Sequence, residues 1–477
     1  MPTITRRQCI ALAPAILRAQ TRARPHSGVK SVEHKGMFIR DCSLAGETRR
    51  DDCVPAHPNG IQVSRDRWLI VYATRKFRGT DDDASIVYQL RAGAPDGRLI
   101  KEGMLSQSID DWDPFGDGKE GFVRQHGHPV AFGVPKGVLV RGKPALHANL
   151  FAVKWRLLAK VLDRENKALV RNPHDREVGA RTQDVEWLQC RLNPADDDIE
   201  IVQPRQRLRQ KGYETGETFC SLPGSGRMNQ TFVQAAPFNA ECTEWADANH
   251  FQSGKVAALK YRFNPRTRLY EWVETGPPLF DFPASEASLL RSGDRWLAAG
   301  RQSRRAIAWV ETDDPFRHTG KVVHPPSPAV SSPLCAYACP DGVLRVFTGD
   351  ATVSPQHKDR DPMYCWEIDP DDGFRVVNRL TVYDTVAAGL PIRPAASPKV
   401  DMCKLLPHDG GSTQYIVHRV SVRSFNHAYI GGDGSVAKEI PIINEREKAA
   451  CGIYYATLTY GESYPAPWEF ARSGSAA

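Results

Sequence analysis

Hydrophobic residues in this chain fall in short runs separated by polar turns. The clearest case is residues 284–310, ASEASLLRSGDRWLAAGRQSRRAIAWV. Glu286 opens one apolar run, Arg-Ser-Gly-Asp at 291–294 turns the chain, Trp296 to Gly300 returns, and Arg301 follows. Antiparallel strands bring the start of the first run and the end of the second to one edge. Glu286 and Arg301 are therefore expected to share a rim.

The pattern recurs. Asn59-Gly-Ile-Gln-Val returns as Trp68 to Arg75, and His128-Pro-Val-Ala-Phe turns near Pro135-Lys-Gly and returns as Val138-Leu-Val. Pro333 to Tyr337 returns as Val343 to Thr348, Val400 to Leu406 returns as Gln414 to Arg419, and a weaker copy begins at Asn229. Unit openings fall near 59, 128, 229, 286, 333 and 400, each with room for about four strands. The expectation is an all-β, six-bladed β-propeller over residues 30–465, with space for a seventh blade in the long second unit. A sandwich or two β domains would be the alternatives. Residues 156–227 read as a charged, turn-rich insertion, and 466–477 as a C-terminal tail. The last strand, from Cys451, is expected to pair with the segment near Met37-Phe-Ile and close the ring. Propeller geometry gathers the rim ends around one funnel, the usual place for a ligand site. The rim residues are Asn59, Arg75, His128, Asn229, Glu286, Arg301 and Asp401.

Composition changes this picture little. Of 477 residues, 41% are hydrophobic and 25% charged, with a formal charge of +7. Five arginines and no acid lie within residues 1–24, so the remainder is close to neutral and gives no case for nucleic acid. That leader has Thr5-Arg6-Arg7 before a short apolar run, Ile10 to Leu17, which reads as a twin-arginine-like export signal. A mitochondrial presequence is the competing reading. No apolar run is long enough to span a bilayer. The expected location is periplasmic or extracellular in a bacterium. The eleven cysteines show no paired metal-type spacing. Cys42 and Cys53 are the best local disulfide candidates, and the others read as buried thiols.

With these residues in place, the chain resembles the sialidase (neuraminidase) superfamily of six-bladed propellers. Glu286, Ser292-Gly-Asp, Arg301 and Arg305-Ala-Ile-Ala-Trp-Val match, in order, a family hairpin and the strand after it. Residues 57–91 look like the family's first blade, where a strand ends in arginine and a loop carries the acid/base aspartate; Arg75 and Asp81-Asp82-Asp83 match. Arg360, before Asp-Pro-Met-Tyr-Cys-Trp, resembles the third arginine that binds the sugar carboxylate. Asp-box (BNR) repeats are nearly absent. Asn59 stands where the family's first arginine would open a strand. Ser397-Pro-Lys-Val-Asp-Met holds no tyrosine where the family's nucleophile would lie, with Tyr383 and Tyr415 as the nearby tyrosines.

The resemblance implies a secreted glycoside hydrolase acting on an acidic or polyhydroxylated sugar. Asp81 would be general acid/base and Glu286 base or orienter. Arg75, Arg301, Arg360, Asn59, Asp82, His128 and Asn229 would bind substrate. A glycosidase normally uses two carboxylates, and clustered acids raise one another's pKa. Two other readings stay open. One is a polysaccharide lyase with His126 or His128 as base. The other is a sugar-binding propeller without catalysis. No metal motif is present: His126-Gly-His128 lacks an assured third ligand, and Asp81–Asp83 could take calcium only outside any EF-type spacing. No cofactor is expected. The partner is a glycan, and a monomer is expected.

Overall fold

The computed structural model describes residues 27–40, 53–76, 85–107, 113–115, 120–163, 169–171, 183–208, 221–222, 226–231, 235–251, 255–302, 306–317, 319–327, 332–350, 360–393, 396, 398–422 and 444–471. Nearly all regular structure is antiparallel strand; the one described α-helix is Glu445–Ala449.

Six sheets follow one another along the chain. The first is built from Cys53–Ser64, Arg67–Lys76, Ile86–Ala92 and Arg98–Ser106, in that order. The fourth repeats this plan with Ala284–Ser292, Arg295–Gln302, Ile307–Thr312 and Lys321–Val323. The fifth does so with Cys335–Ala338, Leu344–Gly349, Met363–Asp369 and Arg375–Tyr383. The second sheet is larger and centres on Glu120–Val134, Leu150–Asp163, Gln183–Leu192 and Ile199–Arg207. The third centres on Gly226–Thr231, Glu244–Phe251, Val256–Asn264 and Leu269–Pro278. In the sixth, Pro398–Leu405, Gly411–Val422 and Gly452–Tyr464 are completed by the N-terminal strand Val29–Ile39. Met37 lies opposite Tyr454 and Ile39 opposite Ile453, which is the expected closing pairing.

The core is divided in the same way. Ile61, Leu69 and Val71 of the first sheet pack with Phe151, Val153 and Trp155 of the second. Phe132 and Trp187 of the second meet Trp245 and Tyr261 of the third. Similar clusters join third to fourth, fourth to fifth and fifth to sixth. A further cluster joins Trp68, Ile70 and Tyr72 of the first sheet to Val417 and Ile453 of the sixth. Each sheet thus buries both faces against its neighbours, and the succession returns on itself. Burying a large apolar side chain contributes about 1.5–3 kcal/mol. The fully buried Trp68, Trp155, Trp272 and Trp309 are therefore major contributors.

Two sequence expectations need correction. The strand that returns from 128–134 is Leu150–Asp163. Val138–Val140 belongs instead to a small three-stranded sheet, with Lys143–Pro144 and the C-terminal strand Glu469–Phe470. The three-residue run is too short to pair along the long inner strand. Leu150–Asp163 has the length, and Gly133 lets it approach: a Cβ there would meet the Leu150 carbonyl oxygen at 2.2 Å. The segment read as an insertion also contributes strands to the second sheet, through Gln183–Leu192 and Ile199–Arg207. Its alternating apolar residues, Val185, Trp187 and Leu188 among them, are buried. The C-terminal segment is docked as well. Arg65 donates to the carbonyls of Phe470 and Ala471 and lies over the Phe470 ring.

The seven described cysteines are buried free thiols, Cys335 and Cys339 among them. Cys42 and the Cys53 side chain lie outside what is described. No helix of the described residues is long and apolar enough to cross a membrane.

Candidate functional site

Cys53–Ser64 packs against Glu120–Val134 and Pro398–Leu405, and Cys335–Ala338 against Ala284–Ser292 and Pro398–Leu405; several of these inner strands carry the same irregularity. Ala56 lies opposite Ala73 and Asn59 opposite Val71, so one extra residue is inserted. The same insertion occurs between Gly127 and Val130, between Ser285 and Ser288, and between Asp401 and Lys404. A further shift brackets Asn229, between Met228 and Gln230. In four of these bulges the first inserted residue is left-handed: His57 at φ 52°, His128 at 53°, Glu286 at 50° and Met402 at 55°. Such φ values are uncommon for non-glycine residues and cost about 1–3 kcal/mol each. A bulge bends the strand and re-aims a side chain. Four repeats of one bulge place His57, His128, Glu286 and Met402 at corresponding positions around the inner strands.

The residue before each bulge faces a corresponding position on the next strand. Three of those positions hold arginine: Arg156 opposite Gly127, Arg301 opposite Ser285, and Arg419 opposite Asp401. Gly300 helps to set Arg301, because the Phe280 ring occupies the space that a Cβ would need.

These positions form an ion pair and a larger polar cluster, close enough for Arg360 and Asp401 to act electrostatically on Glu286. Arg301 Nε pairs with Glu286 Oε2, as the hairpin pattern led us to expect. Arg360 Nη1 donates to Asp401 Oδ2 at 2.7 Å. Arg419 donates to Asp401 Oδ1 through Nε at 2.8 Å, and its Nη2 lies 2.7 Å from the same oxygen. Arg419 Nη1 lies 3.2 Å from His57 Nε2. The His57 and His128 rings stack with centroids 4.0 Å apart and planes inclined by 19°. The Arg360 carbonyl accepts the Val400 N–H at 2.9 Å, which fixes this loop to the strand that carries Asp401.

Burial separates two kinds of member. Asp401 and Arg419 side chains are fully buried, whereas Arg301 and Arg360 keep 24% and 23% of their side-chain surface exposed. The exposed pair can meet a ligand; the buried pair can only position it. Burial pushes the Glu286 carboxyl above its ordinary value, and nearby Asp401 adds to this against Arg301 and Arg360. Burial acts on Asp401 in the same sense, but Arg419, Arg360 and Lys399 outweigh it and hold that carboxyl below its ordinary value. Guanidiniums that keep exposed surface, as Arg301 and Arg360 do, can pair with a carboxylate in a planar, two-bonded geometry.

The other expected site residues fall as follows. Asn59 is buried, and its Oδ1 accepts the Ala131 N–H at 3.2 Å, linking the first sheet to the second. Ser288, likewise two residues past its left-handed position, accepts the Ala336 N–H at 2.9 Å and links fourth to fifth. Asn59 thus spends its side chain on a sheet-to-sheet link, and His57 takes the network position. His126 is held apart from His128: its Nδ1 lies 3.0 Å from Ser106 Oγ and its Nε2 3.7 Å from Glu186 Oε2. Arg75 pairs in the first sheet opposite Val54, and Asn229 lies in Gly226–Thr231, but their side chains are outside what is described. Asp81, Asp82 and Asp83 lie outside the described residues. Tyr383 is buried among His34, His418 and Tyr454, and Tyr415 sits against Trp68. Among the described residues, no group of three His, Cys, Asp or Glu side chains could hold a metal ion.

The residues missed at the sequence level are His57, Arg419 and Arg156, with Asp401 noted only as a rim position. The available signal was Arg419 closing its hairpin as Arg301 closes the opening one.

No family model and no curated protein sequence matches the chain. Solved structures do. Trypanosoma rangeli sialidase in complex with 2,3-difluorosialic acid, a covalent intermediate, aligns with a TM-score of 0.51 at 9% identity, covering 92% of this chain and 59% of that one. A protein of unknown function from Dyadobacter fermentans aligns with a TM-score of 0.50 at 9% identity, covering 91% of this chain and 100% of that one. The fold is sialidase-like. The chain spans less than two thirds of the length of the sialidase chains it matches.

Proposed function

We propose that this chain is an exported, six-bladed, sialidase-like propeller that binds an anionic sugar where its inner strands converge and hydrolyses the glycosidic bond. The observation that carries this reading is the pair of partly exposed guanidiniums, Arg301 and Arg360, held by Glu286 and Asp401, which lie near enough to influence one another. The count of six blades rests on six sheets joined by six cores. Arg301 and Arg360, with Arg75, bind the sugar carboxylate. Asp81 acts as general acid/base. Glu286, whose raised pKa lets it exchange a proton nearer neutrality, activates or orients a water. A sialidase structure of similar fold with 2,3-difluorosialic acid bound supports the ligand class.

Elimination is the second reading, favoured by one observation: the stacked His57 and His128 belong to the same network as the arginines. A histidine could then remove the proton next to a uronate carboxylate that the arginines neutralise.

The test is incubation of the mature protein with sialylated and uronate-containing glycans, read by mass spectrometry. Products carrying an added water, lost in E286Q, support hydrolysis. Unsaturated products establish elimination. Glycans retained without turnover make the protein a binding module. Loss of one carboxylate-binding arginine should cost about 1.5–3 kcal/mol, so R301M should weaken retention by roughly 10- to 150-fold. Unchanged retention by R301M would remove the proposed site.

A further inference from the structure

We propose that Ser106, His126, Glu186 and Arg205 form a second hydrolytic site, which cleaves short acyl esters with Ser106 as nucleophile. The site lies at the seam between the first and second sheets and does not depend on the reading of the arginines as an anion site.

The four side chains come from four strands. Ser106 ends Arg98–Ser106 of the first sheet; His126, Glu186 and Arg205 lie on Glu120–Val134, Gln183–Leu192 and Ile199–Arg207 of the second. Their protons can be placed. A guanidinium can only donate, so Ser106 Oγ accepts from Arg205 Nη1 at 2.9 Å. The hydroxyl still has its own hydrogen to give, and its acceptor among the described residues is His126 Nδ1, at 3.0 Å. A ring whose Nδ1 accepts is neutral and carries its proton on Nε2. That nitrogen lies 3.7 Å from Glu186 Oε2. The carboxylate is itself positioned: Oε2 accepts the Trp155 indole N–H at 3.3 Å, and Arg205 Nε is 3.9 Å away. Hydroxyl, imidazole and carboxylate thus stand in the order of nucleophile, base and orienter. The last separation is longer than a hydrogen bond, and such contacts tighten when substrate binds.

A seam that served stability alone needs no such series. Asn59 and Ser288 each tie neighbouring sheets through one bond to the backbone. Ser106 and His126 are buried, whereas the Arg205 side chain keeps 36% of its surface exposed. A substrate therefore enters beside Arg205 and displaces it from Oγ. The bond from Oγ to the ester carbon forms as Nδ1 takes the hydroxyl proton. The carbonyl electron pair moves onto its oxygen, where the displaced guanidinium donates. Return of that pair breaks the carbon–oxygen bond to the alcohol, which leaves with the proton from His126. Water then attacks the acyl group by the same proton route, releasing a carboxylic acid and restoring Ser106. Glu186 stabilises the imidazolium in both steps, and water is the sole co-reactant. The Trp155 ring, its centroid 6.3 Å from that of His126, walls the inner side and limits the acyl group to a few carbons.

The experiment follows hydrolysis of p-nitrophenyl acetate and octanoate by the full mature chain, and labels it with a fluorophosphonate whose adduct is mapped by peptide mass spectrometry. The expected result is turnover of the acetate well above that of the octanoate, and an adduct on Ser106. S106A and H126Q should each lower kcat/KM by about 10²–10⁴-fold. Glu186 is a positioning residue, so E186Q should lower kcat with KM unchanged and slow the labelling, and E186D should restore part of both. Circular dichroism shows which variants fold, and the adduct map needs no variant. No adduct on Ser106 in the wild-type protein, or undiminished hydrolysis in folded S106A, overturns the proposal. Equal turnover of the two esters overturns the limit on the acyl group, and E186Q with unchanged kcat overturns the role of Glu186.

Discussion

Substituting Asp401 by Asn tests the network where its energetics are most exposed. The side chain keeps its shape but loses the charge that faces two guanidiniums. Arg360 is partly exposed and can recover water. Arg419 is fully buried and cannot. Removing one partner of a buried ion pair typically costs about 3–5 kcal/mol, because the other charge is stranded. Against an ordinary total of about 5–15 kcal/mol, that is a large fraction of the stability. The assay is urea unfolding at pH 7, followed by tryptophan fluorescence and circular dichroism together, since coincident transitions justify a free energy. The sign with pH follows from the lowered Asp401 pKa. Its stabilisation is present above the unfolded carboxylate value and is lost as pH falls through the folded one, so the gap between wild type and D401N should narrow in acid. The double variant D401L/R419M replaces the pair with apolar side chains and should recover most of the loss. A D401N cost below about 1 kcal/mol, or a double variant no better than the single one, would refute the claim that Asp401 holds a buried charge in place.

Two further outcomes follow from single contacts. His418 is fully buried, and burial pushes its pKa down to about 3. The unfolded chain takes up that proton below about 6.5, so stability is full above that pH and falls by about 1.4 kcal/mol per unit as pH drops toward 3. H418F should therefore retain about 2 kcal/mol of what the wild type loses between pH 7 and 5, and a parallel pH profile for the two would refute this. Ser288→Ala and Asn59→Ala each leave a buried backbone N–H, of Ala336 or Ala131, without its acceptor. Each should cost about 1–3 kcal/mol in urea unfolding; a cost near zero would show that the sheet-to-sheet links do not matter.

Much of the architecture was legible because burial on both faces writes itself into the chain. Hairpins near Glu286, Asn59, Pro333 and Val400 appear as apolar runs with Gly or Asp turns, and the pairing of Val29–Ile39 with Gly452–Tyr464 followed from an unpartnered last strand. The second unit was less legible for a physical reason. Its hairpin leaves a long excursion, 135–149, between the two strands, and the tempting return strand is only three residues. Short local pairing looked sufficient, but the longer strand won by burying Phe151, Val153 and Trp155.

The candidate site was legible only where the bulge did not matter. A one-residue bulge shifts which side chains share a face, and sequence periodicity assumes there is none. Glycine usually marks such a spot, because it adopts positive φ freely. Here the left-handed positions are His57, His128, Glu286 and Met402, so nothing flagged them. Where the opening residue was itself the bulge residue, as with Glu286 and His128, the expectation fell on a network member. Where the strand was read from two residues further on, it fell on Asn59, and His57 was missed. The same logic bears on function. A left-handed histidine or glutamate is unfavourable locally, and glycine would remove the cost. Three polar side chains kept at corresponding strained positions are hard to explain by stability, since glycine there would relieve the strain and spare the burial of polar groups. They are explained if the bulges exist to aim His57, His128 and Glu286 at one ligand. On that account E286G should make the protein more stable, by about 1 kcal/mol after the partly exposed Arg301 returns to water, while abolishing turnover of anionic glycans and leaving them retained. Loss of stability with turnover intact would mean that the Glu286–Arg301 pair is structural, and that the site lies elsewhere.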